Sequence, residues 1–385
     1  MSQPPNMSAP SIPNLLSLRG ARGGSRGRGR APGRGGHPQS ASSQAQHDAT
    51  IQGTDTDAAV SRLSAVEVGY LDDSYASFFV QGQNTGRRLP IINRGTYTRT
   101  IALDRLVDLF LSGDSARDGG KGERQIVSLG AGTDTRCFRL FSQKNRRRPL
   151  IYHEVDFPAI SNRKRLIVQA NPSLRRILPD PAPIEEGSAT GSWRSTPEGD
   201  GNRYWCHGLD LRDLARESKK EQGPATPHHS LLAGLRIDVP TLLISECCLC
   251  YLETPETKKV IQYFIDQIPE LGLVLYEPVK PDDPFGRQMV SNLAARKIKM
   301  PTLEDHKEPR DQEERLRQAG FTNVEQKTVD KIWERWVSTD EKERLDALEG
   351  LDEVEEWHLL AAHYIVAWGS RGQGFGGWSA LNSLQ

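Results

Sequence analysis

The residues able to do chemistry stand where apolar runs stop. "IVSLGAGTDTRCFRL", residues 126–140, is an apolar run that breaks at a Gly-Ala-Gly turn and resumes with helical spacing. Glycine at 130 and 132 permits unusual φ and lets a ligand touch the backbone with no Cβ in the way. A second run, "YHEVDFP", ends in Asp156, close to the interval of about 20 residues at which an acid in such folds reaches a ribose diol. Two further runs also end in acids, Asp210 in "GLDLRD" and Glu246 in "ISECCLCYLETPE". Any one of them would serve equally as a cap for the helix or turn that follows. Their joint placement around a glycine turn favours a ligand.

The turn does not complete a dinucleotide fingerprint, because Thr135 stands where the third glycine belongs. A pyrophosphate would also prefer arginine and free N–H groups to three carboxylates. The acids suit a cationic, nucleoside-containing ligand without phosphates, and S-adenosylmethionine, a sulfonium, has that character. In "INRGTYTRT" (92–100), Arg94 and Arg99 stand ahead of an amphipathic helix and offer bidentate forks for carboxylates. Arg94 and the hydroxyl of Tyr251 are candidates for gripping an acceptor carboxylate.

Elements that position these residues follow from periodicity. In "TRTIALDRLVDLFLSG", Leu103, Leu106, Val107, Phe110 and Leu111 recur at helical spacing. Five buried strands are expected at 125–130, 150–156, 204–210, 241–246 and 272–278, and two more at 321–329 and 363–369. The clearest helix is "TPETKKVIQYFIDQI", with Thr254 as N-cap and Pro255 at the first position. Strands alternating with helices predict an α/β protein with a mostly parallel sheet covered on both faces.

Composition narrows the class. The 385 residues carry 50 basic and 50 acidic side chains, so total charge points to neither nucleic acid nor membrane. No apolar run approaches the roughly 18 residues of a membrane span. Five cysteines, three of them close together at 247, 248 and 250, suit a reducing compartment, and a cytoplasmic protein is expected, with a nuclear pool also compatible. Cys247 and Cys250 have the spacing of half a zinc site, but no second pair follows and no metal is expected. Residues 1–56, rich in Ser, Gly, Pro, Gln and Arg, read as disordered. Their "RGARGGSRGRGRAPGRGG" has the composition of RNA-binding tails, but without interleaved aromatics a solvated extension is favoured. Loss of RNA affinity on deleting 1–56, with the core chemistry unchanged, would make RNA binding a separable accessory role. Stretches 171–203 and 217–230 read as surface insertions, and His228 and His229 as solvated loop.

Seven segments together carry a family resemblance: "RLSAVEVGYLDD" (62–73), "INRGTYTRT", "VSLGAGTDTRCFRL", "HEVDFPAI", "GLDLRDL", "ISECCLCYLETPE" and "YEPVKPDDPFGRQMVSNL". In this order they resemble the leucine carboxyl methyltransferases of fungal type, over about residues 57–370. The resemblance implies a Rossmann-like, S-adenosylmethionine-dependent methyltransferase with a mostly parallel seven-stranded sheet. It places the methyltransferase domain at 57–370, flanked by the tail 1–56 and a C-terminal tail 371–385. It further implies methylation of the C-terminal leucine carboxylate of the protein phosphatase 2A catalytic subunit, which would be the partner of a monomeric enzyme. Cofactor contacts carried over by motif position are Arg62, Arg99, the turn of Gly130 and Gly132, Asp156, Asp210 with Leu211, and Glu246. Some relatives carry Lys at the position of Arg62, which keeps the charge but not the geometry. No catalytic residue is assigned. An α-carboxyl of pKa roughly 3.5 is already a nucleophile at neutral pH and needs no general base. The alternative is an O-methyltransferase acting on a small acid or alcohol, the latter needing a base that the sequence does not display.

Overall fold

A computed structural model of the chain describes residues 39–80, 82, 86–113, 122–143, 148–184, 191–217 and 231–384. The Arg-Gly stretch and the pair His228 and His229 lie outside the described residues. Among the described residues the strands are β1 (Arg124–Leu129), β2 (Leu150–Asp156), β3 (Ala182–Pro183), β4 (Trp193–Ser195), β5 (Arg203–Gly208), β6 (Thr241–Glu246), β7 (Leu271–Pro278), β8 (Asn323–Thr328) and β9 (Tyr364–Arg371). They form one sheet in the order β3-β4-β5-β2-β1-β6-β7-β9-β8. From β5 to β7 the neighbours are parallel; β9 runs antiparallel between β7 and β8.

The sheet therefore has nine strands and not the expected seven. The two additional ones, β3 and β4, continue it antiparallel beyond β5 and come from the stretch read as a surface insertion. At two and three residues they are too short to show a period. What fixes them is tertiary: Trp193 is fully buried with its ring 5.0 Å from that of Tyr204, and its indole N–H donates to Ser161 O at 3.2 Å.

Six of the seven matched strands, β1, β2, β5, β6, β7 and β9, follow apolar runs because they are largely buried on both faces, as the interior of such a sheet demands, whereas the edge strand β8 buries only Val324. Ile126, Tyr152, Tyr204, Leu242 and Val274 pack on one face, and Val127, Val155, Leu243 and Leu273 on the other. Helices cover both: α1 (Gln39–Val68), α2 (Pro90–Ser112), α3 (Arg136–Phe141), α4 (Pro158–Ala170), α5 (Pro172–Ile177), α6 (Leu211–Glu217) and α7 (Thr254–Ile265) in the first two thirds of the chain. Helix α7 starts one residue earlier than predicted. Glu253 is its N-cap, and the Glu253 N–H donates to Glu256 Oε2 at 3.3 Å.

Folded elements stand on both sides of residues 57–370. Residues 39–56 are helical, forming the first half of α1, which composition does not show because this half has no apolar stripe. Polar contacts hold it instead: Asp48 to Arg212 at 2.7 Å and Asp55 Oδ1 accepting from Thr133 N at 2.6 Å. At the other end, Phe375 stacks on Phe110 with centroids 5.0 Å apart, and the Trp378 indole donates to Leu106 O at 2.9 Å. Residues 371–381 thus pack against α2. Helix α2 itself begins at Pro90, so Arg94 and Arg99 lie on it and not ahead of it.

One polar chain crosses the core. His153 of β2 and His207 of β5 are buried with Nδ1 and Nε2 3.0 Å apart, and His153 Nε2 lies 3.2 Å from Gln125 Oε1. That Oε1 also accepts from Arg236 N at 2.9 Å. Burial lowers His207 to about 3 and His153 well below its ordinary value, so both are neutral in the fold. In the unfolded chain they titrate near 6.5, so only the unfolded state gains these protons as the pH falls, and their contribution to stability is lost progressively below that value. Between pH 7.5 and 5.5 we expect the wild type to lose about 2 to 3 kcal/mol more than the His153→Gln/His207→Gln variant, since other groups cancel in the difference. Urea denaturation of both proteins at the two pH values measures it; equal losses would show that the pair does not carry the acid sensitivity.

Candidate active site

The strand order reverses at β1, with β2 and β5 on one side and β6 and β7 on the other. Loops leaving the carboxyl ends of β1 and β6 diverge there, which opens a crevice. Gly130 and Gly132 line it with φ of +62° and +50°, in the left-handed region that favours glycine. A Cβ on Gly130 would stand 2.5 Å from Cys248 Sγ, so glycine is also required for packing. Gly130 N donates to Val155 O at 2.8 Å and Gly132 N to Asp156 Oδ2 at 2.7 Å, tying the turn to the end of β2.

All eight residues expected at a cofactor site line this one cavity: Arg62, Arg99, Gly130, Gly132, Asp156, Asp210, Leu211 and Glu246. They arrive from α1, α2, the turn after β1 and the segments that end β2, β5 and β6. Arg62 comes from α1, where its Nε pairs with buried Asp73 at 2.5 Å. Arg99 projects from α2, its Nε 2.8 Å from Glu246 Oε1 and its guanidinium 5.4 Å from the Tyr276 ring centroid. Asp156 closes β2 and also accepts from Phe157 N at 2.7 Å; burial raises its carboxyl to about 6 despite both amide donors. Asp210 precedes α6, of which Leu211 is the first residue, and its two oxygens are each 2.9 Å from Arg212 Nε. Glu246 ends β6 between Arg99 and Arg136, with Oε2 3.3 Å from Arg136 Nη2.

The two candidates for gripping an acceptor separate. Tyr251 lines the cavity, and burial holds its phenol protonated and able to donate. Arg94 does not reach the cavity: it pairs with Asp346 and lies over the Trp333 ring at 4.6 Å. Its role is to brace α2 against the C-terminal helices.

Sequence reasoning missed one wall completely. Gln44, His47, Asp48, Ile51, Thr54 and Asp55 of α1 face the cavity. Asp48 and Asp210 clamp Arg212 between them, and Asp55 pairs with Arg163 while accepting from Thr133 N. The only early signal was the apolar Ile51 among acids and amides. Among the described residues there is no group of three or more His, Cys, Asp or Glu that could hold a metal ion, and no helix long and apolar enough to cross a membrane.

A lining in which carboxylates outnumber the three arginines, set among apolar side chains and with a backbone free of Cβ at the glycines, fits a cationic nucleoside that ends in an amino acid. The parallel sheet with one antiparallel strand inserted near its edge, and the cavity at its carboxyl end, define an S-adenosylmethionine-dependent methyltransferase. S-adenosylmethionine is the methyl donor. The sequence model of the family "Leucine carboxyl methyltransferase" matches residues 50–265. The chain is 47% identical to a protein of Emericella nidulans named leucine carboxyl methyltransferase 1, with 98% of each chain covered. It is 45% identical to the Aspergillus fumigatus protein of the same name, over 98% of this chain and 99% of that one. Among solved structures, magnesium protoporphyrin IX methyltransferase of Synechocystis with bound S-adenosylhomocysteine aligns at 12% identity and a TM-score of 0.38, over 77% of this chain and 92% of that one, too distant to bear on the assignment. The chain belongs to the leucine carboxyl methyltransferase family.

Two outcomes are expected. Asp156→Ala should weaken S-adenosylhomocysteine binding by roughly 1 to 3 kcal/mol, the cost of leaving buried hydroxyls unpaired. Because the wild-type carboxyl titrates at about 6, affinity should be flat above neutrality and fall as Asp156 takes up a proton below that value, a pH dependence the variant lacks. Calorimetric titration at several pH values tests both, and an unchanged dissociation constant in the variant would remove Asp156 from the site. Deleting residues 1–56 takes away the part of the wall formed by Gln44–Asp55 of α1 and should lower affinity at least tenfold. Equal affinity of the full and shortened chains would show that this half of α1 covers the cavity without contributing to binding.

Proposed function

We propose that the protein transfers a methyl group from S-adenosylmethionine to the α-carboxylate of the C-terminal leucine of the protein phosphatase 2A catalytic subunit, forming a methyl ester. The observation that carries the reading is membership of a family named for leucine carboxyl methylation, joined to a cavity whose lining matches the donor. The phosphatase as acceptor is what the motif resemblance implies.

In this reading Asp156 accepts the ribose hydroxyls, Asp210 and Leu211 border the adenine, and Arg62 and Arg99 pair with the carboxylate of the methionine end. Glu246 keeps Arg99 oriented through their 2.8 Å contact. When bound, S-adenosylmethionine supplies an electrophilic methyl on a cationic sulfur. The chain supplies orientation and dryness: Tyr251 donates its phenolic hydrogen to one oxygen of the incoming carboxylate, leaving the other free to attack, while α1 covers the cavity against water. No proton has to move, since the acceptor is ionised at neutral pH.

The test is transfer of labelled methyl to purified phosphatase catalytic subunit, intact and with its terminal leucine removed. Label on the intact protein alone, released by mild base as an ester should be, is the expected result. With S-adenosylhomocysteine binding confirmed, absence of label on both would overturn the protein acceptor and turn the search to small acids and alcohols.

A further inference from the structure

Behind the cavity, and not lining it, lies a buried ammonium. Lys164 of α4 is 3% exposed, with Nζ 2.6 Å from Glu154 Oε2 and 2.8 Å from the main-chain oxygen of Asp134, which it donates to. Its Nζ also sits 5.8 Å from the Phe79 ring centroid and 5.7 Å from that of Phe138. Glu154, 1% exposed, accepts in turn from the Tyr204 hydroxyl at 2.7 Å. Neither Lys164 nor Glu154 belongs to the walls of the cavity.

Desolvating an ion pair is costly, and replacing one by apolar side chains of similar volume is often neutral or stabilising. Between two phenylalanine rings an apolar side chain would fill the Lys164 site. What it would not do is donate to Asp134 O. That carbonyl belongs to the turn that follows Gly132, whose other end is closed by Asp134 N donating to Ala131 O at 2.9 Å. The turn is therefore anchored three times to the β2–α4 unit: at Gly130 N by Val155 O, at Gly132 N by Asp156, and at Asp134 O by Lys164. The first two anchors belong to residues of the cavity wall; the third works from beneath.

We propose that Lys164 is a positioning residue for cofactor binding: held in place by Glu154, it fixes the Gly130–Asp134 turn through the Asp134 carbonyl and so presents the turn's backbone and Asp156 to the cofactor. Glu154 keeps the ammonium charged and directed: burial alone would lower Lys164, but the adjacent Glu154 carboxylate outweighs it and raises Lys164 above its ordinary value. The pair acts on the ligand only through the turn.

The experiment compares the full chain with Lys164→Met and with Glu154→Gln/Lys164→Met. The single variant leaves Glu154 buried and unpaired, so its melting temperature should fall; the double variant removes both charges and should recover most of that loss. The dissociation constant for S-adenosylhomocysteine, measured by calorimetry at a temperature where circular dichroism shows the native fold, should rise at least tenfold in the double variant. The KM for S-adenosylmethionine should rise in step, while turnover at saturating cofactor falls less than threefold. A purely structural pair predicts the opposite coupling, with affinity restored along with the melting temperature. A folded double variant that binds S-adenosylhomocysteine within threefold of the wild type overturns the proposal, and Lys164→Met alone gives the same reading if only that variant folds.

Discussion

Like charges at the sheet's carboxyl edge are the constraint on which the rest depends. A site for a cationic nucleoside needs acids at the ends of adjacent strands, and acids brought together in a dry crevice repel one another and resist ionisation. Arg136, 2% exposed at the start of α3, answers most of that repulsion. It reaches Asp104 of α2 at 3.0 Å and Glu246 at 3.3 Å, pairs with Asp134, and receives the Asp134 carboxylate on its own backbone N–H at 2.9 Å. Those carboxylates raise Arg136 well above its ordinary value, and it in turn helps Arg139 and Arg62 hold Asp104 and Asp134 below theirs. One planar guanidinium, with donors in a fixed fork, joins helix, turn and strand. Lysine at this position would keep the charge and lose the geometry.

The same constraint explains why Asp156 differs from its neighbours. It is paired with amide donors and not directly with a guanidinium, so burial prevails and its carboxyl rises to about 6. A carboxylate left short of counter-charge is the one best placed to accept from neutral hydroxyls, because no arginine competes for its lone pairs. Glu246 is the opposite case: both of its oxygens face arginines, and its contribution is to aim Arg99. In the proposed site, acids that look equivalent as strand ends in the sequence divide into one placed to meet a ligand and others that order the cations around it.

Much of this was legible in the sequence because it is local. The glycine turn, the acids that end three of the apolar runs and the principal strands are written in contiguous residues, and a strand buried on both faces needs only an apolar run. Arg94 and Arg99 show where locality ends. On a helix, five residues turn a side chain by about 140°, so one faces Trp333 and Asp346 while the other faces the cavity. Without knowing that α2 begins at Pro90, the two are indistinguishable. The strands β3 and β4 were hidden for a related reason: their pairing is decided by Trp193 meeting Tyr204, a contact no window of sequence contains.

The first half of α1 is the extreme case. Its residues satisfy every compositional sign of a chain that cannot order itself, being polar, small and interrupted by Gly53. What orders them lies elsewhere: Arg212 for Asp48, and the Thr133 amide with Arg163 for Asp55. Asp55 accepts from an N–H of the same turn that Asp156 holds at Gly132 and Lys164 holds at Asp134, so the covering helix closes on the element that the buried cation anchors. A lid held by ions and amides, and not by an apolar face, has a physical consequence. Its contact with the part-exposed Arg163 weakens with salt, and the set as a whole costs less to break than a packed apolar face, whereas a hydrophobic lid of the same length would bind its own cavity in place of the ligand. In the proposed function, polarity is what lets this half of α1 cover the cofactor and still release it.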